Sequence, residues 1–308
     1  MPTASSQSGR RTREHRTWAH RYGPVCAISP DEQAALGIRY DEDNPAIAET
    51  FLLRLSPGRT EAIDQHQGVA RAVAASTSGA LFVLDDSGTV HVGGRRHKLA
   101  VPRTMVDAGA LGMALAADDQ IWLFAPDGSA VSPGPKLRAR QLASSRAGLV
   151  AATDDDGVYL VGESGVAVAV PVDLPGHVNA VALADGGRIA VAAGHDIYEG
   201  DASGLKLVAS APFEIHCLAI HLDRVLLSSR AHGLFCIEDG RVMPLKPSLR
   251  AHTLAVKDNI LVAASDLFVA TADGPGPGDF LTRDLAPFVR VAEQRLPRLL
   301  QSEDPVSV

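Results

Sequence analysis

The sequence of 308 residues contains little cysteine, few aromatic side chains and no long hydrophobic run. Its three cysteines, Cys26, Cys217 and Cys236, show no CxxC spacing and are too sparse for a disulfide framework. No apolar stretch approaches the roughly 18 residues that a membrane-spanning helix needs, and the N-terminus has no apolar signal segment. We therefore expect a cytoplasmic protein in a reducing compartment, with no membrane partner.

An excess of positive charge is also absent. The formal net charge of -7 argues against nucleic-acid binding by the chain as a whole. The first 24 residues are the exception, because they hold one acid, Glu14, and five arginines: Arg10, Arg11, Arg13, Arg16 and Arg21. This basic arm predicts contact with an acidic partner or with phosphate, and a solvated tail is the alternative.

What the sequence does contain is short apolar runs, each ended by Asp/Gly or Ser/Gly turns. Leu81–Leu84 precedes Asp85–Gly88, and Leu149–Ala152 precedes Asp154–Gly157. This pattern, with 28 glycines in the chain, is typical of strands joined by tight turns, because glycine supplies the positive φ that hairpin turns need.

An internal repeat organises these runs. An apolar residue followed by Ala recurs six times, and each pair precedes another apolar run by about seven residues. The pairs begin at Val73, Met113, Leu142, Val181, Leu218 and Leu254, at intervals of 40, 29, 39, 37 and 36 residues. Further runs follow in most repeats, so the unit is four short strands, which is the unit of a propeller blade.

The fourth repeat is the clearest. Gly176-His177 precedes a first strand at Val178–Leu183, Asp185–Arg188 forms a turn, and Ile189–Ala192 is the second strand. This repeat resembles the WD40-like propellers, and the coarse pattern is similar to irregular lactonase-like and lyase-like propellers. We therefore predict an all-β chain with a single β-propeller of six blades, with seven blades as the alternative.

Three segments follow from this prediction. Residues 1–45 are expected to be a basic, largely irregular arm, residues 46–274 the propeller, and residues 275–308 a linker with a C-terminal helix. Within the propeller, Thr50–Leu55 has no partner of its own. We expect this segment to join the last blade and close the ring, since an unpaired strand edge is a liability.

The candidate site is the mouth of the central channel. Two residues before each apolar-Ala pair lie Arg71, Leu111, Arg140, Asn179, His216 and His252. These positions begin the innermost strands, so the five polar ones, Arg71, Arg140, Asn179, His216 and His252, are candidates for ligand binding. The two histidines are candidates for a general acid and base or for metal ligands, but the ring holds no carboxylate for a hard cation.

No stretch of the sequence carries a convincing catalytic motif, and we expect no cofactor and no metal. The primary hypothesis is a noncatalytic protein–protein interaction scaffold or regulatory subunit that binds one or more proteins. The alternative is a propeller hydrolase or lyase, or a small-ligand binder, with its site at the channel mouth. The fold alone does not decide between them.

Overall fold

In the computed structural model, the chain forms seven antiparallel sheets, and each sheet consists of four consecutive strands. The structure describes residues 24–284, except for 27–32, 40–47, 57–58, 68–69, 76–80, 86, 100–101, 108–112, 146–147, 154, 156, 163, 258–259, 265–267, 275 and 277. Within these residues, no helix has the length and hydropathy needed to cross a membrane.

The sheets are the blades of a propeller and are numbered here in chain order. Blade 1 contains β1 (Pro24–Cys26), β2 (Gln33–Arg39), β3 (Ala48–Ser56) and β4 (Arg59–Gln67). Blade 2 contains β5 (Ala70–Ala75), β6 (Leu81–Asp85), β7 (Thr89–Val92) and β8 (Arg95–Lys98). Blade 3 contains β9 (Pro102–Asp107), β10 (Met113–Ala117), β11 (Gln120–Phe124) and β12 (Val131–Pro133).

The remaining four blades follow the same order. Blade 4 contains β13 (Ala139–Ser145), β14 (Gly148–Thr153), β15 (Val158–Val161) and β16 (Ala167–Ala169). Blade 5 contains β17 (Val178–Leu183), β18 (Ile189–Ala193), β19 (Asp196–Asp201) and β20 (Gly204–Ser210). Blade 6 contains β21 (Cys217–His221), β22 (Arg224–Ser229), β23 (Gly233–Glu238) and β24 (Arg241–Lys246). Blade 7 contains β25 (Thr253–Lys257), β26 (Ile260–Ala264), β27 (Phe268–Ala272) and β28 (Phe280–Asp284).

The all-β propeller predicted from the repeats is therefore confirmed. The six repeats correspond to blades 2 to 7, and blade 1 precedes them as a further sheet. The total of seven sheets is the alternative count that the sequence left open. Blade 1 has no apolar-Ala pair at the expected spacing, and its strand β4, RTEAIDQHQ, is mostly polar. These features hid the blade from a search for repeated apolar runs.

Two expectations about the ends of the ring need correction. Thr50–Leu55 lies in β3 and pairs with β2 and β4, so it does not join the last blade. Blade 7 has its own fourth strand, β28. The Gly-Pro stretch before β28 is a turn within the blade and not a linker, and Asp279 holds it by accepting a 2.7 Å hydrogen bond from the Gly276 N–H at Oδ2.

The segment boundaries shift accordingly. Strands β1 and β2 place the start of the propeller at Pro24 instead of residue 46, and β28 extends it to Asp284 instead of residue 274. The three residues of β1 and the mixed sequence of β2 carry too little periodicity to show as strands in the sequence. The five arginines of the basic arm and the expected C-terminal helix lie outside the described residues.

Burial explains why the second strands read as unbroken apolar runs. Every residue of β10, β14 and β18 is buried, because each of these strands is covered on both faces by neighbouring blades. Separate hydrophobic clusters join successive pairs of blades from blade 2 to blade 7. The outer strands are wetter, as the exposed residues of β12 show. Packing between blades is thus the main source of stability.

The first strands of the blades pack against one another in sequence, and β1 also packs against β25, β26 and β27. The ring therefore closes by packing of blade 1 against blade 7, and no described strand is exchanged between the two blades. Because every blade has the same strand order, all first strands begin at one end of the central channel. This end is called the mouth below.

Candidate functional site

Five predicted site residues lie at equivalent positions in five blades. Arg71, Arg140 and Asn179 are the second residues of β5, β13 and β17, while His216 and His252 directly precede β21 and β25. The repeated strand order brings all five positions to the mouth. Arg140 is exposed, and Asn179, His216 and His252 are half-buried, so these four have surface available for contact with a ligand.

Three of these residues lie in β-bulges. Ala70 pairs with Asp85 and Ala72 with Leu84, so Arg71 has no counterpart on the second strand. The pairing skips Arg140 and Asn179 in the same way. A bulge inserts one extra residue, bends the strand and re-aims a side chain, and bulges are enriched at the rims of barrels and beside active sites. The bulges separate these residues from the regular, buried part of the strand.

Blade 3 has the same bulge at a residue that the sequence analysis missed. Ala116 pairs with Thr104 and Ala117 with Pro102, so the extra residue is Arg103. Met113-Ala114 lies in the second strand and not in the first, so Leu111 has no place in the ring. The even spacing of the repeats is the sequence signal that could have identified Arg103. Met105 lies 37 residues before Leu142, and Arg103 stands two residues before Met105.

We name these six positions the rim: Arg71, Arg103, Arg140, Asn179, His216 and His252. Three of them are arginines, two are histidines and none is a carboxylate. The Asn179 side chain is anchored, because its Nδ2 donates a 3.1 Å hydrogen bond to the Gly194 carbonyl at the turn of its own blade. The rim therefore offers donors and positive charge.

The His216 corner of the rim is more enclosed than the rest. The His216 backbone N–H donates a 2.9 Å hydrogen bond to the Ser228 carbonyl, which fixes the start of β21 on β22. Its side-chain Nδ1 is buried and has no hydrogen-bond partner among the described residues. A buried polar atom without a partner costs free energy, so a donor or acceptor from a ligand would be stabilised at this position.

A buried thiol lies beside this histidine. Burial raises the pKa of Cys217 to about 12, although the Ser228 hydroxyl and the charge of Arg230 both act to lower it. The Ser228 Oγ donates a 2.7 Å hydrogen bond to the Ala251 carbonyl and so connects blade 6 to the loop that ends at His252. The thiol is thus a neutral, packed group and not an activated nucleophile.

The loop between blades 5 and 6 carries a second set of rings near the mouth. Phe213 stacks on His232, with 5.0 Å between ring centroids, and lies 4.5 Å from the centroid of Phe235. His195 contacts the start of the same loop, since its backbone carbonyl accepts from the Ala211 N–H at 2.8 Å. These contacts hold the loop against two blades and position His216 at its end.

Asp85 is a buried carboxylate in the turn between β6 and β7. Its Oδ1 accepts hydrogen bonds from the Ser87 N–H and hydroxyl and from the Thr89 N–H, and its Oδ2 lies 2.7 Å from the His91 Nε2. Burial raises the pKa of Asp85, but these hydrogen bonds together lower it below 3.8. These four hydrogen bonds of the carboxylate therefore all lie within residues 85–91 and stabilise this turn.

The described residues offer no cluster of metal ligands. Among them, no group of three or more His, Cys, Asp or Glu side chains lies close enough together to hold a metal ion. His216 and His252 stand at the starts of neighbouring first strands, but they do not form such a group with a third ligand. The described rim residues offer hydrogen bonding and positive charge.

Seven four-stranded blades around a central channel define a β-propeller fold. Solved structures with this fold are similar to the chain over most of its length. Sqt1 from Chaetomium thermophilum is 16% identical with a TM-score of 0.61, covering 84% of this chain and 84% of that one.

Two further structures show how widely the fold is used. Virginiamycin B lyase from Staphylococcus aureus is 10% identical with a TM-score of 0.60, covering 79% of this chain and 92% of that one. A chain of the mitotic checkpoint complex is 12% identical with a TM-score of 0.59, covering 85% and 90%. No family model matches the chain, and no curated protein matches its sequence. At these identities the likeness concerns the fold.

Proposed function

We propose that this protein is a noncatalytic protein-interaction module that acts as a scaffold or regulatory subunit in a larger complex. One observation carries the proposal. The outer strands of blades 3 to 7, or residues directly beside them, expose large apolar side chains: Val131, Val166, Val168, Leu207, Met243 and Leu281. Outer strands also present an unpaired hydrogen-bonding edge, so this perimeter combines apolar surface with free backbone groups.

Blade 4 shows the feature most clearly. Val166 and Val168 are 61% and 59% exposed, and they flank the alanine that begins the edge strand β16. Natural sheets commonly protect an exposed edge with a charge or a proline, and the VAVA stretch at residues 166–169 has neither. An extended segment of a partner protein would pair with this edge and cover the valines.

Other features support protein partners. A reducing compartment such as the cytoplasm is part of the proposal, on the basis of the three sparse cysteines. One similar structure is a chain of the mitotic checkpoint complex, which is an assembly of several proteins. The basic arm is a further candidate contact for an acidic partner, with its five arginines against one acid. Similarity of fold alone does not establish the interaction function, and the exposed apolar side chains of the outer strands carry the proposal.

The test is quantitative affinity capture from the native host with the full chain as bait. The matched variants are Val166→Glu with Val168→Glu on the perimeter and Asp201→Lys with Arg241→Glu on exposed turns. Deletions should remove only residues 1–23 or 285–308, because residues 24–45 include two strands of blade 1. A partner retained by the control and lost by the valine variant supports the proposal. Capture of no partner by the folded full chain would contradict it.

An enzyme or small-ligand binder is the second candidate, and the unpartnered, buried Nδ1 of His216 favours it. The fold also serves as an enzyme in the virginiamycin B lyase of Staphylococcus aureus. Incubation of the purified protein with virginiamycin B, followed by mass spectrometry, tests one such activity. Turnover that His216→Ala abolishes while the variant keeps the wild-type unfolding midpoint would establish the enzyme, and unchanged substrate would count against this activity.

A further inference from the structure

Four consecutive blades place a bulge at the same position of the first strand, and arginine occupies three of the four. The bulged residues are Arg71 in blade 2, Arg103 in blade 3, Arg140 in blade 4 and Asn179 in blade 5. A residue skipped by the pairing is free of the constraint that alternates side chains between core and surface. The fold thus repeats one device that brings a cation to the mouth.

Blades 6 and 7 continue the same charge pattern with different residues. His216 and His252 take the equivalent positions, and the exposed Arg230 and Arg250 lie in the adjoining turn and loop. Arg230 lies in the turn between β22 and β23, which is at the same end of the channel as the start of β21. Arginines therefore stand at this end of the channel in blades 2, 3, 4 and 6 and in the loop before blade 7, while blade 5 contributes the neutral Asn179.

Several carboxylates at this end of the channel lie in turns farther from the axis, whereas Glu214 and Asp173 are exposed in the loops that lead into β21 and β17. Asp118 and Asp119 form the exposed turn between β10 and β11, and Asp155 occupies the corresponding turn of blade 4. Turns between second and third strands lie about 5–10 Å outside the first strands, because neighbouring strands are about 4.8 Å apart. The inner rim is cationic and the surrounding turns are partly acidic.

This concentric arrangement selects the shape of an anionic ligand. A nucleic acid duplex, whose phosphates spread over a broad surface, would meet the outer acidic turns. A narrow extended segment with clustered carboxylates can reach the rim along the channel axis without covering those turns. Arginine also suits carboxylates chemically, since its planar guanidinium donates two parallel hydrogen bonds to the two oxygens.

We propose that the rim binds a carboxylate-rich peptide segment of a partner protein, which enters the mouth of the channel. This inference rests on the proposed interaction function and names the chemistry of one partner contact. The exposed Arg140 is a direct contact. The perimeter valines are a separate surface, so the two contacts can be tested independently.

The experiment is fluorescence anisotropy of the full chain with a labelled peptide that alternates Glu and Gly over about twelve residues. The control peptide has Gln in place of every Glu. The expected result is binding that is at least about tenfold tighter for the Glu peptide and that weakens as salt rises, because salt screens exposed charges. Equal affinity for both peptides, or no binding of the Glu peptide, would overturn the proposal.

Matched variants locate the contact. Arg103→Ser with Arg140→Ser removes two rim cations, whereas Arg95→Ser with Arg241→Ser removes two exposed cations near the opposite end of the channel. We expect the rim variant to lose at least about fivefold in affinity and much of the salt dependence, and the control to lose less than about twofold. An equal loss in both pairs would show attraction to overall charge and would overturn the assignment of the rim.

Two further measurements keep the result interpretable. Circular dichroism and the thermal unfolding midpoint of each variant must match the wild-type protein, so that lost binding is not lost folding. A labelled duplex oligonucleotide that binds more tightly than the Glu peptide would contradict the peptide assignment. A native partner that the rim variant captures as well as the wild-type protein would remove the rim proposal and leave the interaction function intact.

Discussion

Replacing Asp85 should destabilise the propeller by an amount that the contacts of its carboxylate allow us to work out. This side chain receives four hydrogen bonds within the turn between β6 and β7. Ser87 is exposed, so its two donors recover hydrogen bonds to water when the carboxylate is removed. The Thr89 N–H and the His91 ring are half-buried and recover less.

Hydrogen bonds to a charged group contribute about 1.5–3 kcal/mol each, and the two half-buried donors of Thr89 and His91 set the scale of the loss. We expect Asp85→Ala to lower the free energy of unfolding by about 3 kcal/mol and Asp85→Asn by about 1 kcal/mol, because asparagine keeps one acceptor oxygen. Urea unfolding followed by circular dichroism measures both differences. A loss of less than about 0.5 kcal/mol for Asp85→Ala would refute the argument that this carboxylate organises the turn.

The pH dependence gives an independent check on Asp85. The pKa of this carboxyl is below 3.8 in the folded protein, so the ionised form favours folding. Its contribution is fully present above the ordinary pKa of 3.8 and is lost as the pH falls through the lower folded value. The difference between wild-type and Asp85→Ala should therefore shrink as the pH falls from about 4 toward about 3. A difference that grows over this acidic range would mean that the sign is wrong.

Three further perturbations test the packing around the mouth. Gly233→Ala should lower the free energy of unfolding by at least about 2 kcal/mol more than the control Gly194→Ala. Both glycines have positive φ, but only a Cβ at Gly233 collides with the backbone of Pro247. Equal losses in urea unfolding would contradict this. Ser228→Ala should cost about 1–2 kcal/mol, because the Ala251 carbonyl before β25 loses its 2.7 Å donor and keeps the weaker 3.9 Å contact from the Cys217 Sγ. An unchanged unfolding midpoint would count against that contact. Cys217, with its pKa of about 12, should react with iodoacetamide at least about 100-fold more slowly in the folded than in the unfolded protein, as peptide mass spectrometry can show.

The architecture was predictable because the buried strands repeat in the sequence. Strands β14 and β18, Gly148–Thr153 and Ile189–Ala193, are covered on both faces, so they must be apolar throughout, and their spacing is set by the size of a blade. Blade 1 was not predictable in this way. Its long strands β3 and β4 carry charged residues among the apolar ones, and its first strand has only three residues.

The first strand of blade 3 was predicted at the wrong position for a local reason. The second strand of blade 3 reads MALAA and so contains the apolar-Ala pair that marks first strands elsewhere. The true first strand, Pro102–Asp107, has Val106 where the other repeats have Ala. The apolar-Ala pattern therefore predicts Leu111 as a ring residue in place of Arg103. Even spacing would have identified Met105-Val106 as the equivalent pair.

The bulges themselves could not be read from the sequence. A bulge is a property of pairing between two strands, and it follows from how the turn and the next blade set the register. The residues Ala70 and Ala72 on either side of Arg71 give no local sign of the irregularity. The sequence indicated which positions are polar at the mouth, while the structure showed why they are separated from the regular pairing.

The described chain enters the propeller at the end of the channel that carries the rim. Pro24 begins β1, a first strand that packs between the first strands of blades 2 and 7, so the chain enters the ring at the mouth. The arm of five arginines is thus covalently attached beside the cations that the bulges of Arg71 and Arg103 bring to the rim. The rest of the chain carries a net charge of -11 once the +4 of the first 24 residues is subtracted from -7. The arginines of the rim positions stand against this negative net charge, and a local cluster of cations is what the proposed acidic segment needs for attraction and orientation.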